Sequence, residues 1–319
     1  MKARRIVFTT LWLSSIFGCS VEKCLEEYKQ QRPTHTACLP PNKECTIRTK
    51  NVSKAEKHLI LKTHNQYRSM VAMGKLASFS TATNMRELLW DDEVASVAQA
   101  KADQCTNARG KLDHDKAADR FTTKFKSVGQ NLAFRRSSAS FKGPDWPGQI
   151  KAWFDEYYHY PPEAVKSFHP PGGEPTGHFT QVVWATTGYV GCGYVDYTVA
   201  GVKEMPYMQL YVCNYASAGN VLTLPVYQAG DVCSACPEGT ACVKDTGLCS
   251  PPKDTEALDE EEDANPPDPH KHRDDGQKEA SKSSRKNDAR MTFQSTWCVV
   301  AGAFAAACGP IFTWGAFLT

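Results

Sequence analysis

Four polar residues sit where chemistry could be built: His114 in "KLDHDK", Gln130 in "SVGQNLA", Glu156 in "WFDEYYHY" and His178 at the head of "GHFTQVVWATTGYVGCG". They lie beside apolar or glycine-marked positions. Two imidazoles and a carboxylate, with water completing the shell, make a donor set suited to zinc or another divalent cation. Glu156 is then the candidate general base should metal-bound water act in hydrolysis. The four are far apart in the chain and include no H-x-x-x-H pair on a helix, so spacing alone does not make them converge. Each also reads, taken singly, as a hydrogen-bonded structural residue. Nucleophilic catalysis has less support, because the chain has neither a G-x-S-x-G elbow nor an H-E-x-x-H motif. Ser137, Ser138 and Ser140 fall in a polar loop after Arg135 and Arg136.

Three helices and a set of strands must position these residues. Ser53-Lys54-Ala55-Glu56 matches a capping box, and Ile60, His64, Tyr67 and Val71 then share one helical face. His64 reads as a core or capping histidine. A second helix opens at Asp91 or Asp92, with Val94, Val97, Ala98, Ala102 and Cys105 as its inward stripe. A third starts near Pro147 and sets Ile150, Trp153, Phe154 and Tyr157 on one side, with Glu156 flanking them. After His178 the pattern turns to strands in "FTQVVWAT", "YVGCGYVDYT" and "MQLYVCNY". Helices first and consecutive strands afterwards predict an α+β domain, an antiparallel sheet packed by helices.

The ends and the cysteines set the compartment. Residues 1–20 carry Lys2, Arg4 and Arg5, then an apolar run, then Gly18 and Ser20, the form of a secretory signal peptide. Residues 291–319 contain no charge and follow small residues such as Ser283 and Ser284. That is the form of a GPI-attachment signal, with a C-terminal membrane helix as the alternative. The chain has 13 cysteines, and removing Cys19, Cys298 and Cys308 with the two ends leaves an even set able to pair. Residues 21–229 have the length of one domain with a sizeable core. Residues 230–250 hold four cysteines and little apolar mass, a module that disulfides must staple, and 251–290 read as a disordered charged stalk. Asn51-Val52-Ser53 is a glycosylation sequon. A net charge of +2 with no aromatic-laced basic patch argues against nucleic acid as a partner.

With these residues in hand, the chain resembles the CAP superfamily, and within it the venom antigen-5 type. "GHFTQVVWATT" matches the first family signature in full. "LYVCNYASAGNV" matches the second, with Ser217 as its one departure. "THNQYR", "NMRELLWDDEVASVAQAKADQC", "VGQNLA" and "WFDEY" follow the family order, so the resemblance covers Cys24 to Cys249. It implies a three-layer αβα sandwich with a hinge-like C-terminal module. It implies a cleft formed by His114, Gln130, Glu156 and His178, with His114 and His178 as metal ligands. Gln130 stands where the family usually has an acid, which removes a base and an anionic contact. The implied disulfides are Cys24–Cys38, Cys45–Cys105, Cys192–Cys213, Cys233–Cys242 and Cys236–Cys249. The expected function is that of an extracellular protein, secreted or tethered through its tail, that binds a lipid, a sterol or a protein partner without catalysis. Trp146, Trp153, Tyr157 and Tyr158 are candidates to line an apolar groove, with core packing as the other role for the first three. The alternative is a divalent-metal-assisted hydrolase or protease using the cleft residues.

Overall fold

Residues 24–105 and 112–252 are described by a computed structural model. The expected signal peptide, nearly all of the stalk and the apolar tail lie outside them. The centre is a five-stranded sheet of β1 (Cys45–Lys50), β2 (Leu89–Trp90), β3 (Val128–Ser137), β4 (Tyr189–Val199) and β5 (Tyr207–Ala216). Its order is β1-β4-β5-β3, all antiparallel, with β2 joining β4 in parallel. A second, two-stranded sheet pairs β6 (Ala241–Val243) with β7 (Leu248–Ser250).

Side chains alternate across the large sheet, and each face takes its own helical layer. Gly191, Gly193, Val195 and Tyr197 face α3 (Asp92–Ala102), where Ala98 and Ala102 pack with Val195, Leu210 and Val212. Val190, Cys192, Tyr194, Tyr211, Cys213 and Tyr215 face the opposite way. There they form the main core with α2 (Lys54–Ala72), α4 (Trp146–Asp155) and α5 (Gly177–Val182). The result is a three-layer αβα sandwich with a disulfide-rich C-terminal hairpin. An N-terminal segment, with α1 (Glu26–Gln31), packs beside α3 through Tyr28.

Local signals account for the helix starts. Ser53 and Glu56 make both bonds of the capping box at α2, and Asp91 and Asp145 cap α3 and α4 through their side chains. The third helix begins at Trp146, one residue before its expected proline, and Cys105 lies beyond the end of α3. Two other readings are corrected. "FTQVVWAT" is no strand: Gly177–Val182 is the helix α5, and only the residues from Tyr189 on are extended. Its β-branched run misleads because Phe179 through Val182 are buried on every side, which erases any periodicity. The Glu156 carboxylate, on a distant element, accepts the amides of His178 and Phe179 and so starts the helix. Ser137 belongs to the end of β3, a strand that carries Gln130.

Among the described residues the five disulfides are Cys24–Cys38, Cys45–Cys105, Cys192–Cys213, Cys233–Cys242 and Cys236–Cys249. Cys192 and Cys213 are direct partners across β4 and β5. Cys45–Cys105 joins residues 60 positions apart, a closure of about 4 kcal/mol by chain entropy.

Candidate functional site

The site straddles β3, the edge strand of the sheet. Consecutive residues there point to opposite faces, so Gln130 and Asn131 serve different neighbours. Gln130 Oε1 accepts from His114 Nδ1 at 2.9 Å, while Gln130 Nε2 donates to Asn214 Oδ1 at 3.0 Å on β5. Asn131 Nδ2 donates to the carbonyl of His178 at 3.1 Å. The first residue of α4's trailing 3-10 turn, Glu156, grips His178 from the other side. Its Oε1 accepts from the ring Nδ1 at 2.6 Å and its Oε2 accepts the His178 backbone amide at 2.9 Å. Trp153 lies beside the ring, centroids 6.2 Å apart.

These contacts decide which nitrogen is free. An amide oxygen and a carboxylate can only accept, so both imidazoles carry their proton on Nδ1. In the neutral form of each ring Nε2 then keeps its lone pair, as when an outer oxygen orients a metal-binding histidine. Desolvation of the ring lowers the His114 pKa, and Arg120 and His178 lower it further, which favours the neutral, ligating form. Each ring by itself therefore presents the kind of nitrogen that ligates a divalent ion. Their partners do not add a carboxylate ligand: Gln130 is neutral, and both oxygens of Glu156 are already accepting. Among the described residues the one group of three or more His, Cys, Asp or Glu with ligand atoms within 4.8 Å is Cys233, Cys236 and Cys249, all of them in disulfides.

Behind His178 lies a buried polar relay. His64 Nδ1 donates to Ile60 O at 2.8 Å, so its Nε2 accepts the Tyr215 hydroxyl at 2.9 Å. Tyr215 in turn accepts from Asn131 Nδ2 at 3.3 Å. The helical stripe foretells an inward His64, but nothing in the spacing foretells Asn131 as the link to His178; its place next to Gln130 in "VGQNLA" is the one available signal. Desolvation, with Arg68 adding to it, pushes the His64 pKa down to about 4. An unfolded histidine titrates near 6.5, so between those values the unfolded chain binds a proton that the native one refuses. Stability is expected to fall as pH drops from about 6.5 to 4, by up to about 3 kcal/mol. Urea midpoints at pH 7 and pH 4.5 should diverge more for the native sequence than for His64→Gln; equal shifts in the two proteins would remove His64 as the cause.

Of the aromatic candidates for a groove, Trp146 and Trp153 are core residues, 0% and 3% exposed. They pack on Tyr211 and donate to Leu132 O respectively. Tyr157 is half-buried against Phe154 and Phe179, and Tyr158, stacked on it at 4.1 Å, is 73% exposed. No helix among the described residues is long and apolar enough to cross a membrane.

Comparison with known proteins adds three findings. The family model "CAP: Cysteine-rich secretory protein family" matches residues 61–215, a span that includes His114, Gln130, Glu156 and His178. The chain is 41% identical over 240 residues to "CRISP/Allergen/PR-1" of Trittame loki, covering 74% of this chain and 56% of that protein. It is 35% identical over 221 residues to "Venom allergen 5" of Rhynchium brunneum, covering 64% of this chain and 90% of that one. This chain thus spans little more than half the length of the first relative and most of the second. The solved structure of BmVAL-1 superimposes with a TM-score of 0.51 at 23% identity, over 64% of this chain and 98% of that one, a likeness of fold.

Proposed function

The chain belongs to the CAP, or cysteine-rich secretory protein, family and is of its antigen-5-like, defence or allergen type; from that membership we propose an extracellular binding protein whose cleft takes a divalent cation on His114 and His178. The observation that supports this is the shared tautomer, with Nδ1 of each ring held by an oxygen and Nε2 left open. A bound ion would supply a fixed positive centre for an anionic group of a ligand. Gln130 holds His114 and cannot act as a base. Glu156 is a positioning residue, since its carboxylate holds the His178 ring and starts α5. The hydrolase alternative would need Glu156 to leave His178 in order to act as general base. For an apolar ligand such as a lipid or sterol, or for a protein partner, the exposed material is Tyr158 with Val221, Leu222 and Leu224. Asn220, in the same loop, bonds to Gly177 and Thr180 of α5, which places that loop against the His178 helix. Secretion agrees with the five disulfides; tethering through residues 291–319 is the further part of the proposal.

The test is calorimetric titration of zinc into the chelator-stripped, oxidised protein, beside His114→Ala, His178→Ala and the double variant. Saturable uptake at one site is expected, weakened at least tenfold by each single change, roughly the loss of one ligand. Uptake unchanged in the double variant would move the ion elsewhere, and no uptake by the native protein would leave the cleft without a metal role.

A further inference from the structure

His114 sits in a stretch with almost no secondary structure of its own. Between residue 112 and the start of β3 there is one short 3-10 turn, Ala117–Asp119, so the placement of the imidazole depends on what this stretch leans against. It leans on the N-terminal segment that Cys24–Cys38 closes into a loop.

The contacts begin at the residue next to His114. Thr36, 1% exposed, donates its hydroxyl to Asp115 Oδ2 at 2.6 Å. Asp115 Oδ1 accepts from Arg120 Nη1 at 2.7 Å, and the same nitrogen reaches the Asp115 carbonyl at 2.8 Å. Arg120 Nε donates to Val128 O at 2.7 Å, the first residue of β3 and two before Gln130. Thr36, Asp115, Arg120 and Val128 thus span the distance between the histidine and its amide partner. Further along, Arg32 and Thr34 both donate to Asp119 Oδ1, at 2.9 and 3.0 Å. His35 Nε2 donates to Phe121 O at 2.9 Å, and its ring stacks on Tyr28 at 4.0 Å. Tyr28 donates to Glu93 on α3 at 2.6 Å, which anchors the loop to the sandwich.

We propose that the N-terminal segment is a clasp that positions His114 in the cleft, with Thr36 and Asp115 as its positioning residues. The proposal rests on the reading of His114 as a cleft ligand, and it adds the reason why a ligand on irregular chain is held in register with Gln130. Thr36→Val keeps the shape and removes the hydroxyl; Thr36→Ser keeps the hydroxyl. In the oxidised, metal-free protein, the ring nitrogens of His114 are expected to show one Nδ1-protonated tautomer by NMR. Thr36→Val should turn this into an average of two, and Thr36→Ser should restore it. Zinc affinity should fall by about tenfold in Thr36→Val, the scale of one buried hydrogen bond, with the thermal midpoint of Thr36→Ser as the stability reference. His114 resonances unmoved in a folded Thr36→Val protein overturn the clasp. If Thr36→Val does not fold, Asp115→Asn is read in the same way, and unmoved resonances in that variant overturn the clasp equally. A native protein that takes no zinc, while Thr36→Val still moves the His114 resonances, keeps the clasp and removes the metal reading instead.

Discussion

Replacing Arg68 by methionine is expected to destabilise the protein by more than about 4 kcal/mol, the largest single loss among polar residues of the fold. Arg68 lies on α2, is fully buried, and makes no ion pair with a carboxylate among the described residues. Its guanidinium is shared among backbone carbonyls: Arg86 at 2.7 and 2.8 Å, Val182 and Trp184 at 2.9 Å, Thr187 at 3.1 Å and Ala185 at 3.3 Å. Burial, then Arg86, pulls its pKa down to about 9, which still leaves it charged at neutral pH. Trp184 and Ala185 carbonyls keep amide partners at Thr187 and Arg86, whereas those of Arg86, Val182 and Thr187 accept no such bond from another amide among the described residues. The two buried carbonyls left without donors, Val182 and Thr187, cost roughly 1–3 kcal/mol each, and the part-buried one of Arg86 adds to that. The turn that joins α5 to β4 loses its centre, so His178 should lose its fixed place as well. A urea unfolding free energy within about 1 kcal/mol of the native value would show that water replaces the guanidinium, and the argument would fail.

Gly193→Ala is the second. On β4, Gly191 and Gly193 face α3 so closely that an added methyl at Gly193 would lie 2.6 Å from the Ala98 carbonyl carbon, and one at Gly191 would lie 2.7 Å from Ala95 Cα. These neighbours are helix backbone, which cannot rotate aside. The helix must lift from the sheet, a cost of about 3 kcal/mol or more at the upper end of overpacking. Gly172→Ala, with nothing within 4 Å of the new methyl, is the matched control and should change little. Thermal midpoints of the two variants that coincide would refute the close approach.

The difference between what the sequence discloses and what it hides follows from where the partners lie. α2 is legible because its signals are local: Ser53 and Glu56 are three residues apart, and the stripe at Ile60, His64 and Val71 repeats at the helical period. Arg68 stays hidden beside that stripe, since its donors are answered by carbonyls more than a hundred residues away as well as by Arg86. β3 escapes a periodicity search because Val128 through Leu132 are buried in succession between two helical layers, with Gln130 and Asn131 among them. The cleft residues are recognisable by type and by family resemblance. That Glu156 grips His178, and Gln130 grips His114, depends on tertiary distance and no spacing rule contains it.

The C-terminal hairpin has a mechanical consequence. β7 is stitched edge-on to residues 85–87: the Cys249 amide donates to Met85 O at 2.8 Å and the Glu87 amide to Cys249 O at 3.0 Å. Arg86, between them, supplies the carbonyl that Arg68 holds from α2. Tension applied to the chain beyond Ser250 therefore enters the body at its Arg68-bound turn and does not first peel the hairpin open. Cys236–Cys249 and Cys233–Cys242 close the covalent path behind it, so the segment yields little slack while both bridges are intact. The hairpin behaves as a strain relief, delivering load through residues 85–87 to the turn that Arg68 holds.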